Sequence, residues 1–376
     1  MHKIVCYGSN DCGELGLGQN VEEVRYPIHV ESLDDFHIEK ISCGSLHVAA
    51  LTRDGKVVTW GCNDEGVLGR DTKSEGNPDE NVPAYAQGLD DVVIVKVACG
   101  SNITLSLSEK GQLYATRTFR DNNGKTGFTS AINKQSMFVK YSPTSHLKIA
   151  DIAVRDNHAL LLMTHSDLYT FGCMDSFQLG RRILVRKPNG LMLIPEKISI
   201  NRIRKIFAKG NHSFAIDDDG MIYSWGQNAE GQCGSELSNP IITPMKLEFF
   251  KNLFKVKRIS AGLHHTLVLL ENGNVYSFGS TRYGQLGIGA SEGNRKSPVK
   301  INLDNCKYIA TRDHHSMAVN NKNKVYTWGF GRTYALGNQS ENNELLPFEL
   351  ECEEFGEITE IGGGSQYLAI LSSFHN

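Results

Sequence analysis

Five histidines stand at matching places along a chain of 376 residues: His47, His158, His212, His265 and His315, with Ile103 and Tyr367 holding the same place in two further copies. Imidazoles at recurring positions could bind a metal or move protons. Neither chemistry suits this spacing, because the copies lie about one repeat apart and no i, i+2 or i, i+4 neighbour completes a converging ligand set. Structural or partner-contacting roles follow, and no metal is expected. Nine cysteines contain no CxxC pair, which argues for reduced thiols in an intracellular compartment rather than zinc or disulfides. Gly279 to Gly284 mimics a phosphate-binding GxxxxG, but no Lys-Ser or Lys-Thr follows and no helix pattern opens there. No Ser-His-Asp or Cys-His constellation marks a nucleophile. Covalent catalysis and cofactor chemistry are therefore not expected.

The histidines keep step with a second marker, a glycine after an aromatic residue. Its copies are Tyr7-Gly8, Trp60-Gly61, a degenerate Thr116-Arg117, Phe171-Gly172, Trp225-Gly226, Phe278-Gly279 and Trp328-Gly329, at intervals of 53, 56, 55, 54, 53 and 50. A period near fifty built from strand-like units predicts a propeller rather than a helical solenoid. Residues 37 to 69 show the unit best. Ile38 to Cys43 alternates as a strand, His47 to Thr52 is a second apolar strand, and Lys56 to Trp60 returns after a two-residue Asp54-Gly55 turn of type I′. A fourth strand follows, headed by proline in several copies (Pro27, Pro244, Pro298) as suits an outer edge.

The fold predicted is all-β: a seven-bladed β-propeller of four-stranded antiparallel blades, forming one domain over 1–376. The chain starts in a third strand at Ile4 and ends in a second strand at Tyr367 to Leu371. One blade is therefore composite, built from about 1–30 and 356–376, and strands from both termini close the ring. Insertions beyond the repeat fall at about 70–92, 119–146 and 181–200, where departures from a scaffold most often carry function.

Hydrophobic residues at 40%, charged residues at 22% and a net charge of −3 give no global basic field to attract nucleic acid or anionic membrane. No apolar run approaches the roughly 18 residues of a spanning helix. Charge is instead distributed around the ring. Three residues after the marker glycine stand Asp11, Asp64 and Asp175, with Asp121 near the equivalent place, then Ala229, Arg282 and Arg332. Two readings stand: turn aspartates close Asx turns, or one acidic arc facing a basic one suits docking of a partner with basic patches.

The period and the motif aromatic-Gly-x-Asn-x-x-Gly-x-Leu-Gly resemble the regulator of chromosome condensation repeat over nearly the whole chain. Residues Gly61 to Thr72 and Phe119-Arg120-Asp121-Asn122-Asn123-Gly124 resemble the founding member of that family, a chromatin-associated guanine nucleotide exchange factor for the small GTPase Ran. The resemblance implies exchange without covalent chemistry, so the chain is expected to be no enzyme in the covalent sense. It implies a wedge at about Phe128 to Gln135, including Lys134, that inserts against the phosphate-binding region of the GTPase. It implies that His264 is central to exchange. The family's aspartate is replaced by Asn157, with Asp156 beside it to supply the charge. Further GTPase contacts map onto Asp11, His47, Ser101, His315 and Tyr367, and Arg181 or Arg186 stands for a family arginine. The expected partner is Ran in its nucleotide-free, GDP and GTP forms, with histones or nucleosomal DNA a further candidate. The protein is expected in the nucleus as a monomer, with chromatin attachment and some cytoplasmic presence left open because no basic arm precedes the first strand. The alternative is a non-catalytic propeller scaffold that assembles a protein complex.

Overall fold

The computed structural model describes residues 2–374 apart from 19, 65, 183–189, 238 and 352–354. Among them, seven four-stranded antiparallel sheets form the blades, and a two-stranded hairpin, Phe119–Arg120 with Thr126–Gly127, stands outside them. The first strands of the blades are Ile38–Cys43, Ile94–Cys99, Ile149–Arg155, Ile203–Lys209, Val256–Ala261, Cys306–Arg312 and Glu357–Gly363. All seven line one central cavity and so define the channel. Second strands such as His47–Thr52, His158–Met163 and His265–Leu270 are buried at every residue. Each blade face packs on a neighbour, so a strand in mid-blade has no solvent side and its sequence reads as continuously apolar.

The composite blade runs Glu23–His29, His2–Ser9, Tyr367–Ser373, Glu357–Gly363 across the sheet. Its joint pairs His2 with Ser373 through Gly8 with Tyr367. Main-chain hydrogen bonds thus close the ring where the two ends of the chain would otherwise leave strand edges.

Two sequence expectations need correction. The Asp54-Gly55 turn is not type I′: only Gly55 has positive φ, at 78°. Thr52 and Lys56 close a three-residue loop, with Gly55 N–H donating to the Thr52 carbonyl at 3.0 Å and Lys56 N–H to its hydroxyl at 3.0 Å. A type I turn followed by a left-handed residue has this form, and it demands glycine only at its last position. The prolines also lie inside the outer strands, as Pro27 does in Glu23–His29. The register of that strand shifts between Cys6 and Gly8, and a bulge spares proline a ladder hydrogen bond.

The markers explain the joints between blades. Trp60, Trp225 and Trp328 are buried, and their indole N–H groups donate to the carbonyls of Glu14, Gln178 and Gln285 in the preceding blade at 2.9–3.0 Å. The indole lies against the motif's last glycine; a Cβ at Gly180 would stand 2.7 Å from Trp225 Nε1. Marker histidines hold the other side. The Nε2 atoms of His47, His158, His212 and His265 meet the hydroxyls of Thr104, Ser213, Thr266 and Ser316 in the following blade at 2.8–3.1 Å. Where the following blade offers Leu368 instead, His315 leaves both ring nitrogens unpaired.

Candidate functional site

In all seven blades the residue after the third-strand marker position donates its N–H to the carbonyl just before the second-strand marker of the same blade. The pairs are Ser9 to Gln366, Cys62 to Leu46, Thr118 to Asn102, Cys173 to Asn157, Gln227 to Asn211, Ser280 to His264 and Phe330 to His314, at 2.7–3.2 Å. Each bond fastens the loop after a third strand to the turn between first and second strands. Both sets of segments therefore lie on one face of the ring, here called the turn face, with the hairpins such as Thr52–Lys56 on the other. The marker glycine permits this approach: Gly61 has φ 100°, and a Cβ there would sit 2.5 Å from the Leu46 carbonyl. The degenerate copy keeps the conformation without the glycine, since Arg117 has φ 85°.

Three adjacent blades carry a polar chain across the turn face. The Ser45 and Ser101 hydroxyls lie 2.7 Å apart, and Ser101 donates to Asp156 Oδ1 at 2.8 Å. Asp156 itself has φ 42°, a conformation an aspartate tolerates better than most residues. Burial raises its carboxyl pKa, opposed by the neighbouring Arg155 guanidinium, while Asp313 of another blade adds a like charge. Asn157 Oδ1 accepts from Asn102 Nδ2 at 3.2 Å and from Arg120 N–H at 3.1 Å. The side chain that replaces the expected aspartate thus positions the hairpin ahead of the wedge.

Opposite this chain lies an imidazole and aromatic cluster. His264 and His314 stack with centroids 5.8 Å apart, and Tyr283 and Phe330 pack around His314. Burial lowers the His264 pKa, so the ring is neutral near pH 7, and its Nδ1 is buried without a partner. Nε2 is then the nitrogen open to an incoming group. His314, Tyr283, Phe330 and Asp313 escaped the sequence reading. For His314 a signal existed, because it precedes its marker histidine as His264 does.

The wedge takes a different form from an extended segment. Phe128 and Thr129 N–H groups both donate to the Ile132 carbonyl, at 2.9 and 2.8 Å, so the chain turns back tightly. Ile132 and Lys134 are exposed. Phe128 is buried against Tyr141, whose hydroxyl donates to the Phe128 and Leu193 carbonyls. Phe128 anchors the protrusion from beneath and does not reach a partner.

Other expected contacts are corrected by burial. His47, His315 and Tyr367 are at most 1% exposed. His47 holds Thr104, Tyr367 donates to the His47 carbonyl at 2.9 Å, and His315 packs beneath the face. None can touch a docking protein. Asp121 is buried as well; its Oδ1 accepts the N–H groups of Asn123 and Lys125 and closes the Asn-Asn-Gly turn. Asp175 is half-buried and accepts the Asn122 N–H at 2.9 Å. Asp11 and Asp64 stand exposed on the rim, as do Arg282 and Arg332; the Arg332 turn packs on the blade that carries Asp11, so the basic arc adjoins the acidic one and does not face it. The Arg181 side chain is 12% exposed and turned to Glu196; Arg186 lies outside the described residues. No group of three or more His, Cys, Asp or Glu side chains able to hold a metal occurs among the described residues.

A closed ring of seven blades, with fastened turns, an exposed turn around Ile132 and exposed charges of both signs on one face, defines a seven-bladed β-propeller. The chain belongs to the RCC1-like domain family, whose model matches residues 3–370. It is 31% identical to the guanine nucleotide exchange factor SRM1 of Saccharomyces cerevisiae, covering 93% of this chain and 81% of that protein. It is 30% identical to the human regulator of chromosome condensation, covering 98% and 90%. Among solved structures it is similar to Prp20p of Saccharomyces cerevisiae, described with its binding to Gsp1p and histones, with a TM-score of 0.92, 29% identity and coverage of 100% and 92%.

Proposed function

We propose that this protein is a guanine nucleotide exchange factor that binds the small GTPase Ran and accelerates GDP release so that GTP can load. The observation that carries the reading is the gathering of the wedge, His264, Asp156 and the exposed Asp11 and Asp64 on the one turn face. Family membership and the named activity of the SRM1 relative point the same way.

Exchange needs no proton transfer and no covalent intermediate. A GTPase holds its nucleotide through a phosphate loop and magnesium. A face that binds the nucleotide-free form more tightly than the loaded one must, by reciprocity, weaken nucleotide retention by the same factor. Shifting a 1:99 balance to 99:1 takes about 5.5 kcal/mol of such coupling. The exposed turn around Ile132 supplies bulk at the phosphate-binding region. His264 supplies a neutral donor or acceptor at Nε2, and Asp156 a carboxylate fixed by Ser101. The factor does not choose GTP; it empties the site.

The same reading places the protein in the nucleus, near chromatin, as Prp20p is described with histone binding. The closed ring, in which the strands of the two chain ends pair with each other, supports a monomer. The test is release of labelled GDP from Ran with catalytic amounts of this protein. Acceleration by orders of magnitude, with each molecule serving many GTPases, is the expected result. Folded propeller without acceleration would leave an assembling scaffold as the better account.

A further inference from the structure

We propose that the central channel, entered from the hairpin face, binds a compact, multiply phosphorylated small molecule. This site opens on the hairpin face and does not rest on the exchange reading, although its inner end, at Lys209, comes near Asp156. The cavity measures about 490 Å³ and draws residues from all seven first strands, a volume ordinary for small-ligand sites. It exists because the inward positions one level inside the mouth are mostly small, among them Ser42, Ala98, Ala153 and Ser260.

Its charge departs from that of the whole molecule. The chain has 39 basic and 42 acidic residues, yet the cavity is lined by Lys96, Lys205, Lys209, Lys257, Arg258 and Lys307 against two carboxylates, Asp151 and Glu360. Both carboxylates are occupied. Asp151 is hydrogen-bonded to Lys96, and Glu360 accepts the Ile41 N–H at 2.8 Å. Lys205 donates to the Lys257 carbonyl and Lys307 to Asn323. The side chains of Lys209, Lys257 and Arg258 are left with no hydrogen-bond or ion-pair partner among the described residues.

Depth sharpens the argument. Lys257 is exposed at the mouth, while Arg258 and Lys209, the last residue of its strand, are half-buried farther in. Burial holds the Lys209 ammonium well below the usual lysine range, and the charges of Arg155 and Arg258 press it further, with Cys43 and Asp156 acting in the opposite sense. Cations gathered along one cavity in excess of its carboxylates form a site that several phosphates on one small frame can neutralise together. A nucleic-acid duplex cannot enter a cavity of this size. The inward aim of the cations therefore favours a small polyanion over a phosphate backbone lying across the surface.

The experiment is calorimetric titration of the full chain with myo-inositol hexakisphosphate at near-physiological salt. Parallel arms use tripolyphosphate, a short DNA duplex, and vesicles carrying a phosphorylated inositol lipid. One site per chain is expected for the free polyphosphates, with neither duplex nor vesicles binding more tightly. Arg258→Glu and Lys209→Met should each raise Kd about tenfold or more, whereas Lys251→Glu, on an exposed outer loop, should not change it. Lys209→Met removes a half-buried cation that makes no side-chain hydrogen bond or ion pair, so it should fold, as a thermal melt will verify. Absence of heat at about 1 mM probe, an equal loss in Lys251→Glu, or tighter binding to duplex or vesicles would overturn the proposal.

Discussion

His264 and His265 are neighbours with opposite duties, and the difference lies in where the chain turns. His265 begins a buried strand and reaches Ser316 across the joint. His264 sits in the turn before it, half-buried, with Nε2 toward the face. Replacing His264 with Ala should slow GDP release at saturating Ran by about 10- to 100-fold, the worth of one hydrogen bond to a polar or charged group. Melting should change little. A normal maximal rate would remove His264 from the mechanism. The buried histidines make a second, purely structural contrast. His212 gives Nε2 to Thr266, whereas neither nitrogen of His315 has a partner. His212→Ile should cost about 1 kcal/mol for the lost hydrogen bond, while His315→Ile relieves two unpaired atoms and should be neutral or stabilising. Denaturant titration of the two variants decides; equal losses would mean that shape, not pairing, sets the value of the joint.

The second strands carry these imidazoles as a set, and the set should make stability depend on pH. Burial lowers the pKa of His47, His158 and His212 to about 3 and of His315 to about 4, from an ordinary 6.5. The unfolded chain takes up protons below pH 6.5 that the folded chain refuses, so their contribution is complete above 6.5 and falls as pH drops toward 3. The slope approaches about 1.4 kcal/mol per pH unit for each histidine. Asp156, Glu14 and Glu360, whose pKa values burial raises, act in the opposite sense at lower pH. Melting temperature should fall steadily from pH 6.5 to 5, and less steeply in His212→Ile; a flat profile would contradict the burial. At this scale the sequence was informative and also misleading. Period, strand phase and the composite blade could be read from Gly8, His47 and their copies, because a repeat must bury the same positions each time. Exposure could not be read, since His47, Tyr367, Phe128 and Asp121 hold family-like places yet face inward. Which of two adjacent residues meets solvent depends on where a strand ends, and the Asp54-Gly55 turn shows that a single φ value decides its type. Asp313 and Tyr283 belong to the face only because distant blades bring them there.

At the scale of the whole ring, the blades hold Asp11 and Asp64 on one arc and Arg282 and Arg332 on the arc beside it. Because the scaffold is closed, these charges keep their places without contact between them, and they act on a partner through the field rather than through paired bonds. Asp175 is a poor probe of that field, since it also holds Asn122. Asp11→Lys combined with Asp64→Lys changes the arc by four charges and removes neither a buried group nor a joint. Rapid mixing with Ran should show association slowed about tenfold or more at low salt, with dissociation nearly unchanged, because steering acts on encounter. The sign with salt is informative. Added salt should slow the native protein and bring the two rates together, since the Debye length falls from about 30 Å at 0.01 M to about 8 Å at 0.15 M. A variant that associates normally at low salt would assign these aspartates to their own turns and leave docking to the wedge, His264 and Asp156.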